Sequence, residues 1–103
     1  MERVADLQLR RLRARIDSGP GHLAPEIRRA AFTNALTGAD VAEPLATLTA
    51  KIVEGAYKVM ATDIAMARAA GYSEDELFEL TVSAAAGCGA RRLAIVDDLL
   101  GQL

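Results

Sequence analysis

Apolar residues recur at spacings of three and four along most of this chain, the period of an amphipathic helix. Residues 2 to 17 read as a first helix, with Ala5, Leu9, Leu12 and Ile16 on one face. Ser18-Gly19-Pro20-Gly21 ends it, because glycine accepts a left-handed terminus and proline cannot continue the hydrogen-bond ladder. Pro25 suits the first position of a second helix running to about Ala35. Ile27, Ala30, Ala31 and Leu36 give that helix a weak apolar face, and residues 37 to 40 form a turn. A third helix starts between Asp40 and Pro44, where Asp40 and Glu43 resemble a capping box. Its stripe is Leu45, Leu48, Ile52, Ala56 (or Gly55) and Val59, with Glu54 and Lys58 paired one turn apart. Thr62 is placed to cap a short fourth helix, with Asp63 in its first turn and Gly71 at its end.

Ser73 and Glu76 make the clearest capping box in the sequence, and Tyr72 just before it is placed to staple onto Leu77. The fifth helix runs from Glu74 to about Leu100. It carries two apolar faces: Leu77, Leu80, Ala84 and Cys88 on one, Phe78, Val82, Ala85 and Gly89 on the other. A helix apolar nearly all round is expected to be buried. Gly87 and Gly89 would each cost roughly 1 kcal/mol against alanine in an exposed helix, so close approach by a neighbouring helix, or a local bend, is expected there. The expectation is an all-α, single-domain bundle of about five helices, with the fifth central and close to a subunit interface.

Composition supports that reading. At 103 residues the chain has the size of one domain, and 51% of it is hydrophobic. Alanine and leucine dominate and only 4% is aromatic, which favours helices over strands. So few aromatics leave a thin core, which favours further burial against a partner subunit. A net charge of −2 gives no field suited to nucleic acid or an acidic membrane. No apolar run approaches the ~20 residues of a membrane span, and no signal-peptide pattern opens the chain, so a cytoplasmic protein is expected. A single cysteine rules out an internal disulfide and argues against a cysteine-based metal site.

Residues 56 to 71, AYKVMATDIAMARAAG, together with the following YSEDELFELTVSAAAGCGARRL, resemble the core of the alkyl hydroperoxidase D and carboxymuconolactone decarboxylase superfamily. The resemblance is strongest over residues 54 to 100. It is carried by the ending Ala67-Arg68-Ala69-Ala70-Gly71 and the restart Tyr72-Ser73-Glu74-Asp75-Glu76. It implies a small helical protein assembled as a homo-oligomer, a trimer or hexamer. Redox members carry a C-x-x-C pair and a histidine in this segment; here Ala56 and Val59 stand at the cysteine positions and Asp63 at the histidine position. The acidic residue that assists the thiols has no match, since Pro44 lies near its place. A thiolate, a resolving thiol and a proton relay are therefore missing from the matching positions.

The expected function is a non-redox binding or assembly role, with no cofactor and no metal. Two alternatives stand beside it. One is a decarboxylase-type enzyme acting on a small carboxylate, with Tyr57, Lys58, Asp63 and His22 as the candidate residues. The other is an accessory subunit of a separate thiol peroxidase. Each candidate also has a plainer role: packing for Tyr57, pairing with Glu54 for Lys58, helix-terminal charge for Asp63, a loop surface for His22. Cys88 is expected in the core, with Arg91 and Arg92 one turn away. Arg10, Arg11, Arg13 and Arg15 crowd the first helix without stacking partners, and Arg28 and Arg29 are expected to meet carboxylates of a partner subunit.

Overall fold

The computed structural model describes residues 4–103, with side chains from Asp6 onward. The predicted start at Glu2 and the side chain of Ala5 lie outside the described residues. The elements are α1 (Val4–Ser18), α2 (Pro25–Thr37), α3 (Ala46–Glu54), a single 3₁₀ turn (Ala56–Lys58), α4 (Ala61–Ala69) and α5 (Glu74–Gly101). All regular structure among the described residues is helical, and no helix there is long and apolar enough to cross a membrane.

The fold is built on α2 against α5. Phe32, Ala31 and Ala35 of α2 are fully covered and meet Leu80, Ala84, Gly87 and Ala90 of α5. Phe32, which the predicted α2 stripe omits, is among the largest fully buried side chains. The buried face of α2 is thus rotated from the predicted one, toward Arg28, Phe32 and Ala35. The helices come closest at Gly87, where a Cβ would collide with the Phe32 carbonyl oxygen and lie 2.7 Å from the Ala35 Cβ. α1 lies across this pair, with Ile16 packed beside Phe32 and Ala90, and the Arg13 guanidinium 5.4 Å from the Phe32 ring centre. α3 covers the first half of α5, so that Leu45 and Leu48 join Leu23, Ala67, Leu77 and Leu80 in the main core.

Three predicted boundaries move. The Asp40–Glu43 capping box does not form, and α3 begins at Ala46 with Leu45 as the flanking residue. A residue before proline is pushed out of the helical region, so Glu43 cannot serve as the third residue of a helix, and the Glu43–Pro44 bond is cis. At the other end α3 stops at Glu54. Gly55 is extended, and Ala56 and Val59 leave the stripe for the 3₁₀ turn and the strand-like link after it. Thr62 does not cap α4 either: Met60 precedes the helix, and Asp63, three residues on, accepts from the Met60 N–H at 2.8 Å.

The junction between α4 and α5 forms as predicted. The Tyr72 N–H reaches the Ala67 carbonyl at 3.2 Å and the Gly71 N–H reaches the Arg68 carbonyl at 3.0 Å, with Gly71 left-handed at φ 104°. That is a Schellman ending, which only glycine adopts without strain. The Ser73 Oγ then accepts from the Glu76 N–H at 3.1 Å, while Glu76 accepts from the Ser73 N–H at 2.9 Å. Tyr72 packs on the core cluster that contains Leu77.

At 28 residues α5 is about 42 Å long, which accounts for most of the 50 Å long dimension of the molecule. Its last buried residue is Ala90, and among Arg91 to Gly101 only Ala94 and Asp97 are partly covered.

Candidate functional site

The four candidates from the sequence do not converge. Tyr57 is 87% exposed in the 3₁₀ turn, and its ring folds back over Gly55, where a Cβ would sit 2.6 Å from the Cε1. Lys58 donates to Glu54 at 3.1 Å on the open surface. The Asp63 carboxylate is occupied by Lys51, whose Nζ lies 2.9 and 2.8 Å from its two oxygens, and by the Met60 amide. Those bonds, the Lys51 one foremost, hold its pKa below the ordinary value against the opposing effect of burial. His22 sits in the loop before α2, with its ring mostly exposed and its Nε2 3.9 Å from Asp75. The grooves between α1 and α5, beside Cys88, and under the 41–45 segment are lined by other residues. None of these grooves is lined by Ala56, Val59 or Asp63.

Asp63→Asn keeps an acceptor for the Met60 amide and gives up the charge facing Lys51. The expected result is a lower Tm at neutral pH, with the difference shrinking in high salt. An identical Tm at low salt would show that the pair contributes nothing.

Cys88 is half-buried rather than in the core, with its Sγ 3.9 Å from the Val53 carbonyl oxygen. Arg91 and Arg92 flank it around a space of about 50 Å³. The two arginines assigned by sequence to a partner are used within the chain. Arg29 Nε pairs with Asp17 at 3.1 Å. Arg28 is only 7% exposed and donates from Nη2 to the Gly19 carbonyl oxygen at 2.8 Å.

Arg28 belongs to a constellation that no local pattern predicts. The Glu79 carboxylate of α5 accepts both the His22 N–H, at 2.8 and 2.9 Å, and the Leu23 N–H, so it ties down the loop that leads into α2. Burial pushes the Glu79 pKa up, but those amide bonds and the nearby charges of His22 and Arg28 outweigh it, and the net shift is downward. A groove of about 290 Å³ opens beside this cluster, with Leu12, Ile16, Phe78, Val82 and Ala86 as apolar walls and Arg15, Arg28, Glu79 and Ser83 as polar groups. The Arg28 Nε has no hydrogen-bond partner among the described residues.

The broadest feature is the outer face of α5. Phe78, Val82, Ala85, Gly89, Arg92, Val96 and Leu99 follow one another at steps of four and three, and all are exposed. On a helix of 3.6 residues per turn they lie within about 60° of one line, diametrically opposite Leu80, Ala84 and Gly87. Phe78 is 69% exposed, Val96 53% and Leu99 59%. The expectation that both apolar faces of α5 are buried is therefore met on one face only. Gly89 differs from Gly87 in the same way: a Cβ at Gly89 would touch nothing within 4 Å.

Comparisons with protein-family models, with curated proteins and with solved structures return no match to this chain.

Proposed function

We propose that this chain is a non-redox protein of the carboxymuconolactone decarboxylase-like kind that works by assembly, with the outer face of α5 as its principal interface. The observation that carries this reading is the apolar row from Phe78 to Leu99, open to solvent on the side of α5 that the bundle does not cover. Monomeric domains rarely leave a contiguous apolar patch larger than a few hundred Å² open to water. The chemistry of the look-alike enzymes finds no support at the matching positions. Ala56 and Val59 supply no thiol, a lone Cys88 cannot complete a two-thiol cycle within the chain, and Asp63 is committed to Lys51 and Met60. A second, smaller apolar area formed by Tyr57, Met60, Ile64 and Met66 is also exposed. A hexamer would use both areas, one for pairing and one for joining pairs.

The test is the solution mass of the protein and of Val82→Glu/Val96→Glu, measured by light scattering at micromolar concentration. The parent chain is expected to be an oligomer, and the double variant to dissociate by at least tenfold in Kd while keeping its helical circular dichroism. A monomeric parent chain would overturn the reading.

A second reading has one observation in its favour. The groove beside Arg15 and Arg28 joins a mostly apolar wall to buried positive charge, which suits a small carboxylate with an apolar body. Saturable binding of alkyl or aryl monocarboxylates in calorimetry, weakened by Arg15→Gln, would favour it. An absence of heat at millimolar ligand would remove it.

A further inference from the structure

Resting on the assembly reading, we infer that α5 pairs with α5 of a second copy in antiparallel orientation, across a two-fold axis midway between Gly89 and Arg92. The order of side-chain sizes along the exposed row points to this geometry. Read outward from that midpoint, Gly89 is matched by Arg92, Ala85 by Val96, and Val82 by Leu99. Antiparallel pairing sets each small residue of one helix against a larger residue of the other. The Arg92 side chain gains room over Gly89, where no Cβ intrudes and nothing of the same chain lies within 4 Å. Val96 closes over Ala85, and Leu99 meets Val82. Small residues at the centre let two helix axes approach toward the close end of the usual 8–10 Å range.

Parallel pairing of the same faces fits badly. It sets Gly89 against Gly89 and leaves a gap. It also lays two acidic first turns, Glu74, Asp75 and Glu76, side by side with two helix N-termini. Antiparallel pairing separates those turns to opposite ends and opposes the two helix dipoles favourably. Steps of three and four over this length are the spacing of a coiled-coil seam, and a two-fold pair of identical faces is the commonest symmetric contact.

The extent of the surface agrees with a second copy as the occupant. Phe78, Val82, Leu93, Val96, Leu99 and Leu100 are 41% to 69% exposed, an apolar area of the same order as the ~800 Å² per partner of a standard-size interface. Arg91 to Gly101, most of them exposed, would lie along the partner's α5 and beside the groove wall at Val82. A two-fold pair is the building unit of a hexamer made of three pairs, and it is incompatible with a simple trimer.

The experiment places a nitroxide spin label at Gln102→Cys in a Cys88→Ala background and measures label-to-label distance by dipolar spectroscopy on the full chain. Antiparallel pairing is expected to separate the two labelled backbone positions by ~35 Å along the axis. A distance below ~20 Å between those positions would overturn this geometry while leaving self-association intact. In the same background, oxidation of Ala85→Cys/Val96→Cys is expected to cross-link two chains, whereas Val96→Cys alone is not. Efficient cross-linking of the single variant would favour the parallel pair and overturn the inference. Gly89→Trp supplies a control that leaves the protomer intact, since the site is open. It should fold with unchanged circular dichroism and weaken pairing at least tenfold. An oligomer indifferent to Gly89→Trp would place the contact elsewhere and overturn the inference alone, and a monomeric parent chain would overturn the assembly reading with it.

Discussion

Gly87→Val is expected to abolish cooperative folding, observed as loss of the sigmoidal thermal transition in circular dichroism. The added Cβ would enter the space held by the Phe32 carbonyl and the Ala35 methyl, and neither can yield without separating α2 from α5. This contact is the axis of the fold, so relief by a local shift is unavailable. Even Gly87→Ala should cost about 1–3 kcal/mol through overpacking, although alanine gains helix propensity over glycine. In a domain of this size that corresponds to a fall in Tm of roughly 4–8 °C per kcal/mol. Gly89→Ala, two residues on, meets no such wall and should leave stability unchanged or raise it by up to about 1 kcal/mol. If Gly87→Ala and Gly89→Ala melted alike, the close approach of α2 to α5 would be wrong.

Glu79→Ala is the second large effect. It leaves the His22 and Leu23 amides without their acceptor and removes the nearest balancing charge from Arg28. The Leu23 amide is part-buried, and leaving such a donor unpaired costs about 1–3 kcal/mol, so a loss of about 2 kcal/mol in urea unfolding is expected. The pH dependence has a definite sign. The folded-state pKa of Glu79 lies below its ordinary value of 4.5, so its contribution is complete above that value and is lost as pH falls through the folded value. Asp63 acts in the same direction, below an ordinary value of 3.8. The parent chain should lose stability on acidification from pH 5 toward pH 3, and Glu79→Gln should lose less over that interval. A Glu79→Gln curve parallel to that of the parent would show that the carboxylate is not held by the loop.

Where a helix boundary depends on neighbouring residues, the sequence was sufficient. The Schellman ending at Gly71 and the Ser73–Glu76 box use groups within five positions of one another, and both form as expected. The failures have local causes too. Asp40 and Glu43 have the right spacing for a cap, but Pro44 denies Glu43 the helical backbone that the cap needs. Gly55 ends a stripe whose period ran on to Val59. Two features were beyond any local pattern. Glu79 finds the His22 loop 57 positions away, and no spacing rule reaches that far. The outer row of α5 was visible as Phe78, Val82, Ala85 and Gly89, but periodicity gives the faces of a helix without telling which has a neighbour. Two of the candidate residues have nearby partners, Lys58 with Glu54 and Asp63 with Lys51 and the Met60 amide.

The thin cover of α5 past Ala90 has a practical consequence. Amide protons of residues 98 to 101, all exposed, should trade with deuterium sooner than those of residues 80 to 90 in a lone protomer. Diluting the protein would then write the degree of association into the deuterium uptake of a single peptide, with no label or engineered cysteine.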